Sequence, residues 1–312
     1  MLGGDAIEEE ASVQKIVPNI WFNRNAAEAA AFYTAAFPGS TSTVTARYPD
    51  EGLPGFQSEF AGAELTVDVE IDGYRLSLIN AGPEFTPNPS VSFMLNFDPL
   101  LFRGDADAAR ARLDAVWGSL TQGGTVMMEL GEYPYSPRYG WVQDRYGVSW
   151  QLMLSDSGGD PRPFLMPSLL FGGAAQNRAR EAVELYTSLF ERSRVGTMVE
   201  YTEQTGPATP GAVMFSDFQL EGQWFTAMDS GVPQEDSFTC GVSLEVRCRD
   251  QAEIDRLWDA LSAVPEAEQC GWLADRFGLS WQIVPENMGE LMRHPGAYAR
   301  MLEMHKLVIA EL

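Results

Sequence analysis

The residues able to carry chemistry in this 312-residue chain are few, and their distribution excludes several mechanisms. There are only two histidines, His294 and His305, both near the C-terminus. Eleven positions apart, they could share a helix face only loosely and are read as surface residues. With no histidine earlier in the chain, a Ser-His-Asp arrangement is not available to the body of the protein. The three cysteines, Cys240, Cys248 and Cys270, form no C-x-x-C pair. They imply neither a disulfide framework nor a zinc knuckle, and fit a reducing cytoplasm. A nucleophilic thiol needs a neighbouring base or a helix terminus to lower its pKa, and the sequence places no histidine near Cys270. General acid–base work would fall to carboxylates, none of which is singled out by spacing. The stronger candidates are binding groups. Gln151 and Gln282 each end an S-W-Q strand, and Trp141 and Trp272 lie on the strand before. Aromatic walls with a few polar groups are the usual lining of a small-molecule pocket.

These residues recur in register because the chain is a tandem repeat. Residues 140–153 read GWVQDRYGVSWQLM and residues 271–284 read GWLADRFGLSWQIV, identical at eight of fourteen positions. Upstream segments match in the same order. The offset falls from 149 residues at the first strand to 131 at the closing motif, mostly through a ten-residue loss in the second copy. A period this long means duplicated domains, not a solenoid. The expected division is an acidic, disordered leader at 1–14, domain 1 at 15–154, a linker at 155–163, domain 2 at 164–287 and a C-terminal helix at 288–312.

Within one repeat, alternation predicts a strand at 16–22 and helical spacing a helix at 25–37, stopped by Pro38-Gly39. Strands follow at 41–48, 65–71 and 74–79, the last two joined through Asp72-Gly73, a hairpin signal. The order then repeats: strand 91–97, helix 105–120, strands 125–130, 139–143 and 148–154. The fold class is α+β, four βαβββ modules forming two domains whose curled mixed sheets surround clefts, with helices on the outer faces. Alternation on the closing strand turns Trp150 and Trp281 away from the glutamines and under the helices. Asn80 and Asp229, each after a fourth strand, are pocket-mouth candidates or turn residues. Asp144 and Asp275 open D-R-x-G turns, where they would cap backbone amides.

Four such modules with a closing [DR][YF]G[VL]SWQ strand resemble the vicinal-oxygen-chelate superfamily of glyoxalases, bleomycin-resistance proteins and dioxygenases. The branch most similar is the PhnB-like one, often labelled 3-demethylubiquinone-9 3-methyltransferase. Cys270-Gly-Trp272, residues 275–282 and the Met-rich tail carry the resemblance in the second repeat; Tyr133-Pro-Tyr-Ser136 and Tyr139-Gly-Trp141 carry it in the first. The methyltransferase label implies a doubly wound sheet with a glycine-rich turn, which the βαβββ order does not supply. Catalytic members chelate a divalent metal through His, Glu or Gln on facing strands. At the matching strands the first domain offers Asn19, Ser90 or Ser92, and Gln151; the second offers Ser168, Ser243 and Gln282. An amide among hydroxyls is a weak ligand set, so no cofactor is expected and the usual metal triad is absent. An all-oxygen magnesium or calcium site using carboxylates such as Asp68 or Glu70 stays open, although nothing in their spacing demands it.

The resulting expectation is a protein that binds a small aromatic or amphipathic molecule through Asn19, Trp21, Asn80, Trp141, Gln151, Asp229, Cys270, Trp272 and Gln282. The alternatives are a metal-dependent lyase, isomerase or dioxygenase with unorthodox ligands, and a non-catalytic scaffolding pair. A net charge of -23 argues against nucleic acid and anionic membranes as partners. Because single-domain relatives pair two chains to finish their clefts, the second domain would serve as an internal partner, giving a monomeric pseudo-dimer.

Overall fold

The computed structural model describes residues 14–155 and 162–312. Most of the expected leader and linker therefore lie outside the described residues. Four modules follow one another. The first is β1 (Ile16–Asn23), α1 (Ala26–Ala36), β2 (Thr41–Arg47), β3 (Glu64–Ile71) and β4 (Tyr74–Ala81). The second is β5 (Val91–Phe97), α2 (Ala106–Leu120), β6 (Thr125–Tyr133), β7 (Ser136–Gln143) and β8 (Ser149–Leu154). The third is β9 (Leu165–Phe171), α3 (Ala179–Leu189), β10 (Arg194–Glu200), β11 (Val213–Leu220) and β12 (Gln223–Asp229). The fourth is shorter: β13 (Val242–Cys248), α4 (Gln251–Leu261), β14 (Trp272–Ala274) and β15 (Ser280–Pro285). The ten-residue loss removes the strand that would match β6, so this module is βαββ rather than the expected βαβββ.

The tail also departs from the single expected helix. It forms α5 (Met288–Leu291) and α6 (Ala297–Leu302), separated by Pro295 and by Gly296 in the left-handed region at φ 77°. Proline has no amide hydrogen to donate, and the glycine turns the chain at no side-chain cost.

The modules pair across the repeat. One open mixed sheet runs β14-β15-β13-β1-β4-β3-β2, and the other β10-β11-β12-β9-β5-β8-β7-β6. The first module is thus joined to the fourth through antiparallel β1 and β13, and the second to the third through β5 and β9. Each sheet takes one module from each sequence repeat. Tight hairpins set the register at β3–β4 and β11–β12, where Asp72-Gly73 and Glu221-Gly222 all have φ between 51° and 78°. That is the backbone of a type I′ turn, whose twist matches the strands it joins.

One face of each sheet carries the helices, and the two helical faces share one apolar core. Trp150 and Trp281 are fully buried there, as the alternation on the closing strand requires. Trp150 packs on Tyr33, Phe37 and Phe93 with ring centroids 5.2–5.4 Å apart; Trp281 packs on Tyr186 and Phe190. Among the described residues no helix is long and apolar enough to cross a membrane.

Asp144 does more than close its turn. It accepts the Tyr146 and Val148 amides, as an Asp at this position should, and also the Tyr33 hydroxyl and the Trp150 indole, both at 2.9 Å. Asp275 repeats the pattern with Phe277, Leu279, Tyr186 at 2.6 Å and Trp281 at 2.9 Å. Burial pushes both carboxyls above their ordinary pKa, with the four donors opposing it in part. Asn in place of Asp144 can accept with only one atom, which leaves buried donors unmet. Urea unfolding of Asp144→Asn should show a loss of about 1–3 kcal/mol. A raised carboxyl pKa contributes stability that is complete below the unfolded value and declines as pH rises through the folded one. The gap between wild type and variant should therefore be wider near pH 4 than at pH 7.

Candidate functional site

The sheet faces turned away from the helices carry matching polar floors. On β1 the alternation sends Ile16, Ile20 and Phe22 to the core and Asn19 and Trp21 to the opposite face. Asn19 faces Ser243 of β13 on one side and Ser77 of β4 on the other, and the Gln282 amide on β15 donates to Ser243 at 2.9 Å. In the eight-stranded sheet Ser168 faces Ser92 and Thr226. The Gln151 amide donates to Ser92 at 2.8 Å and to Ser168 at 3.4 Å. The three-residue grouping expected within the first domain, Asn19 with Ser92 and Gln151, does not form. Asn19 meets Ser243 and Gln282, while Ser92 and Gln151 meet Ser168, because each sheet mixes the two repeats.

The floor residues are buried although no helix covers them. Two of their oxygens, Asn19 Oδ1 and Thr226 Oγ1, have no hydrogen-bond partner among the described residues. A buried polar atom left unmet is costly, and such atoms call for a partner such as water or a ligand. The donor set suits a first-row metal poorly: amides and hydroxyls stand where imidazole and carboxylate ligands would be needed. Among the described residues no group of three His, Cys, Asp or Glu side chains is placed to hold a metal ion.

The two clefts differ above their floors. In the seven-stranded sheet Trp21 and Trp272 meet edge to face at 6.0 Å, and Phe85 packs on Trp21 at 5.1 Å. The Trp21 indole is held by the Gly82 carbonyl. The rest of the β13 face is ionic, with Arg247 bonded to Glu245. The tail then joins the two ends of this sheet. Cys270 and Gly271 amides donate to the Met304 and His305 carbonyls, beside the place of the missing strand. Tyr298 donates to Gln57 and packs on Tyr48, next to β2 and β3 at the other end.

In the eight-stranded sheet Met94 and Asn96 replace that ion pair, and Met166 and Leu170 stand where the other cleft has Val17 and Trp21. Trp141 lines the β7 side, its indole bonded to Ser149 at 2.7 Å. Tyr139 donates to Gln151 Oε1 at 2.7 Å and belongs to an aromatic group with Tyr133 and Tyr135. Burial raises the Tyr139 hydroxyl far above its ordinary pKa, so it remains a donor. On the opposite wall Arg162 pairs with Asp217 at 3.0 Å and lies 3.9 Å over the Trp224 ring.

Three expected site residues serve other ends. Asn80 shares the helix-facing side of β4 with Leu76 and Leu78; its Oδ1 accepts the Ala26 amide at the start of α1, and its Nδ2 donates to the Glu64 carbonyl. Asp229 does the same for α3, accepting the Ala179 and Val213 amides. Both stand behind the sheet, not at a pocket mouth, because strand parity puts them with the core residues. Cys270 sits in the left-handed region at φ 53°, and its sulfur accepts from Gln269 at 3.4 Å. Burial pushes its thiol up, away from the nucleophilic range. Its counterpart Tyr139, which bonds to Gln151 on this face, is not among the expected site residues; the Tyr-to-Cys difference between the repeats was its signal. Tyr139→Phe removes the donor to a buried amide oxygen and should lower stability by about 1–3 kcal/mol in urea unfolding.

The model of a family described as 3-demethylubiquinone-9 3-methyltransferase matches the chain twice, over residues 14–153 and 164–284. Among solved structures, the PhnB protein from Bacillus cereus is 30% identical, covering 46% of this chain and 100% of its own, with a TM-score of 0.38. Protein PA1353 from Pseudomonas aeruginosa is 23% identical over 46% of this chain and 99% of its own, with a TM-score of 0.37. Glyoxalase I from Zea mays is 9% identical over 93% and 97% of the two chains, with a TM-score of 0.49. No curated protein matches the chain significantly.

Proposed function

We propose that this chain, which belongs in two copies to the family described as 3-demethylubiquinone-9 3-methyltransferase, is a PhnB-like member of the vicinal-oxygen-chelate superfamily that binds a small aromatic or amphipathic molecule without a metal. The eight-stranded sheet provides the site. The observation that carries this reading is the buried floor of that cleft, where Thr226 Oγ1 lacks a partner beside Ser168 and Gln151. Around it stand Trp141, Tyr139, Met94 and Met166, an apolar wall with few fixed polar groups, as small-ligand sites have. The seven-stranded cleft suits this role less well, because Tyr298 and the tail join its ends and an ion pair lies on its face.

The methyltransferase reaction in the family's description finds no support in these features. The paired glycines Gly172 and Gly173 follow a strand, but a Cβ on either would meet Gln234 or Asp236, so packed protein stands where a nucleotide's phosphates or ribose would approach.

Elemental analysis of protein purified without chelator or affinity-tag metal should find less than about 0.1 equivalent of transition metal, with none gained on soaking in manganese, iron, nickel or zinc. Near-stoichiometric metal would instead support lyase or dioxygenase chemistry. Thermal-shift screening of small aromatic compounds should then yield ligands whose affinity falls at least about tenfold in Trp141→Ala, the loss of one desolvated aromatic contact.

Because each sheet already joins a module from each repeat, one chain supplies what two single-domain chains would supply together. Light scattering coupled to size exclusion should return the monomer mass, close to 34.4 kDa; a stable dimer at low concentration would count against the pseudo-dimer reading. The three free cysteines fit a cytoplasmic setting.

A further inference from the structure

A second concavity lies on the other side of the fold, where the first and second modules meet. It has a volume of about 240 Å³ and is lined by Phe37, Phe102 and Phe164, by the rim residue Asp72, and by Arg112 of α2. That is the space of about eight waters, enough for a compact organic molecule of about ten heavy atoms. Arg112 is half-buried and, among the described residues, makes no hydrogen bond or ion pair, not even with Asp72. In a chain with 44 acidic residues and only 21 Lys and Arg, a guanidinium facing a cavity without a carboxylate partner is anomalous. Partial burial lowers its pKa from the ordinary value, yet an arginine stays charged at neutral pH.

The repeat provides an internal control. The register that aligns the second helices of the two repeats places Glu253 where Arg112 stands, and the first-strand register places Lys15 where Phe164 stands. At that related position Lys15 holds both Glu253 oxygens, at 2.7 and 2.8 Å, and the Arg249 amide adds a third bond. Glu221, the counterpart of Asp72, is likewise paired, with Arg192. One copy of this junction holds its own ion pair. In the other the sign of the helix residue is reversed, the matching strand residue is a phenylalanine, and a cavity lies between them.

We propose that this junction is a binding site for a small amphipathic carboxylate, its carboxyl group on Arg112 and its apolar body against Phe37, Phe102 and Phe164. The guanidinium fork matches a carboxylate with two parallel N–H···O bonds, which a neutral group cannot reproduce. The site is separate from the sheet clefts and stands whether or not they bind a ligand.

Isothermal titration with phenylacetate and with hexanoate tests this directly. Wild type should bind at least one of the two with a stoichiometry near one, and the matching neutral alcohol should bind at least about tenfold more weakly. Arg112→Gln, which removes an unpaired charge and should leave the melting temperature unchanged or higher, should lose the binding; Arg112→Lys should keep part of it. The double variant Arg112→Glu/Phe164→Lys rebuilds the Lys15–Glu253 pair and should fold while closing the site. No binding of either acid by wild type, or equal binding by Arg112→Gln, would overturn the proposal.

Discussion

The structure depends on two buried carboxylates. Asp144 gathers the Tyr33 hydroxyl from α1 and the Trp150 indole from β8, so it ties a helix on the seven-stranded sheet to a strand of the eight-stranded one. Asp275 makes the converse tie, between α3 on the eight-stranded sheet and β15 of the seven-stranded one. Two sheets that share an apolar core could slide on one another, since burial of apolar area is not directional. Hydrogen bonds among buried groups are directional, and leaving one unmade is expensive. Around each hub the ring of Phe22 or Phe171, the turn aromatic Tyr146 or Phe277, and the central tryptophan complete the packing. The D-R-x-G turn is therefore the place where the core acquires a single arrangement.

That arrangement sends each repeat's two modules into different sheets, and the clefts inherit the consequence. Each polar floor mixes the repeats, Asn19 with Ser243 and Gln282, Ser168 with Ser92 and Gln151. A substitution in one repeat thus alters one side of one cleft only, leaving the two sheet faces free to diverge. They have done so: Glu245 and Arg247 against Met94 and Asn96, Cys270 against Tyr139, and a tail docked at one cleft. The loss of a strand from the fourth module and the docking of the tail are linked in space, since Met304 and His305 take the amides of Cys270 and Gly271 beside the vacated position.

The same divergence shows on the convex side. One junction holds the buried Lys15–Glu253 ion pair, while Phe164 and Arg112 line a cavity at the other. Duplication supplied two equivalent surfaces, and at this junction the copies differ in whether the helix residue finds a partner within the fold.

Much of the fold was legible in the sequence. Strand and helix positions followed from period-2 and period-3.6 alternation, and the β3–β4 hairpin from Asp72-Gly73, because those signals are local backbone sterics. The burial of Trp150 and Trp281 followed from parity alone. Parity on β4 and β12 also held the answer for Asn80 and Asp229, since Leu76 and Leu78 on one strand and Phe225 and Ala227 on the other mark the core side; turn chemistry pointed the other way. The tail's division in two could be seen at Pro295-Gly296, though not where the pieces would dock. Tertiary structure alone decided which modules share a sheet, and with it which residues share a floor. Pairing of β1 with β13 and β5 with β9 is a contact between segments far apart in the chain, and no local propensity encodes the choice. The donors converging on Asp144 and Asp275 and the unpaired state of Arg112 have the same origin: whether a buried polar group finds a partner depends on what the rest of the chain brings near it.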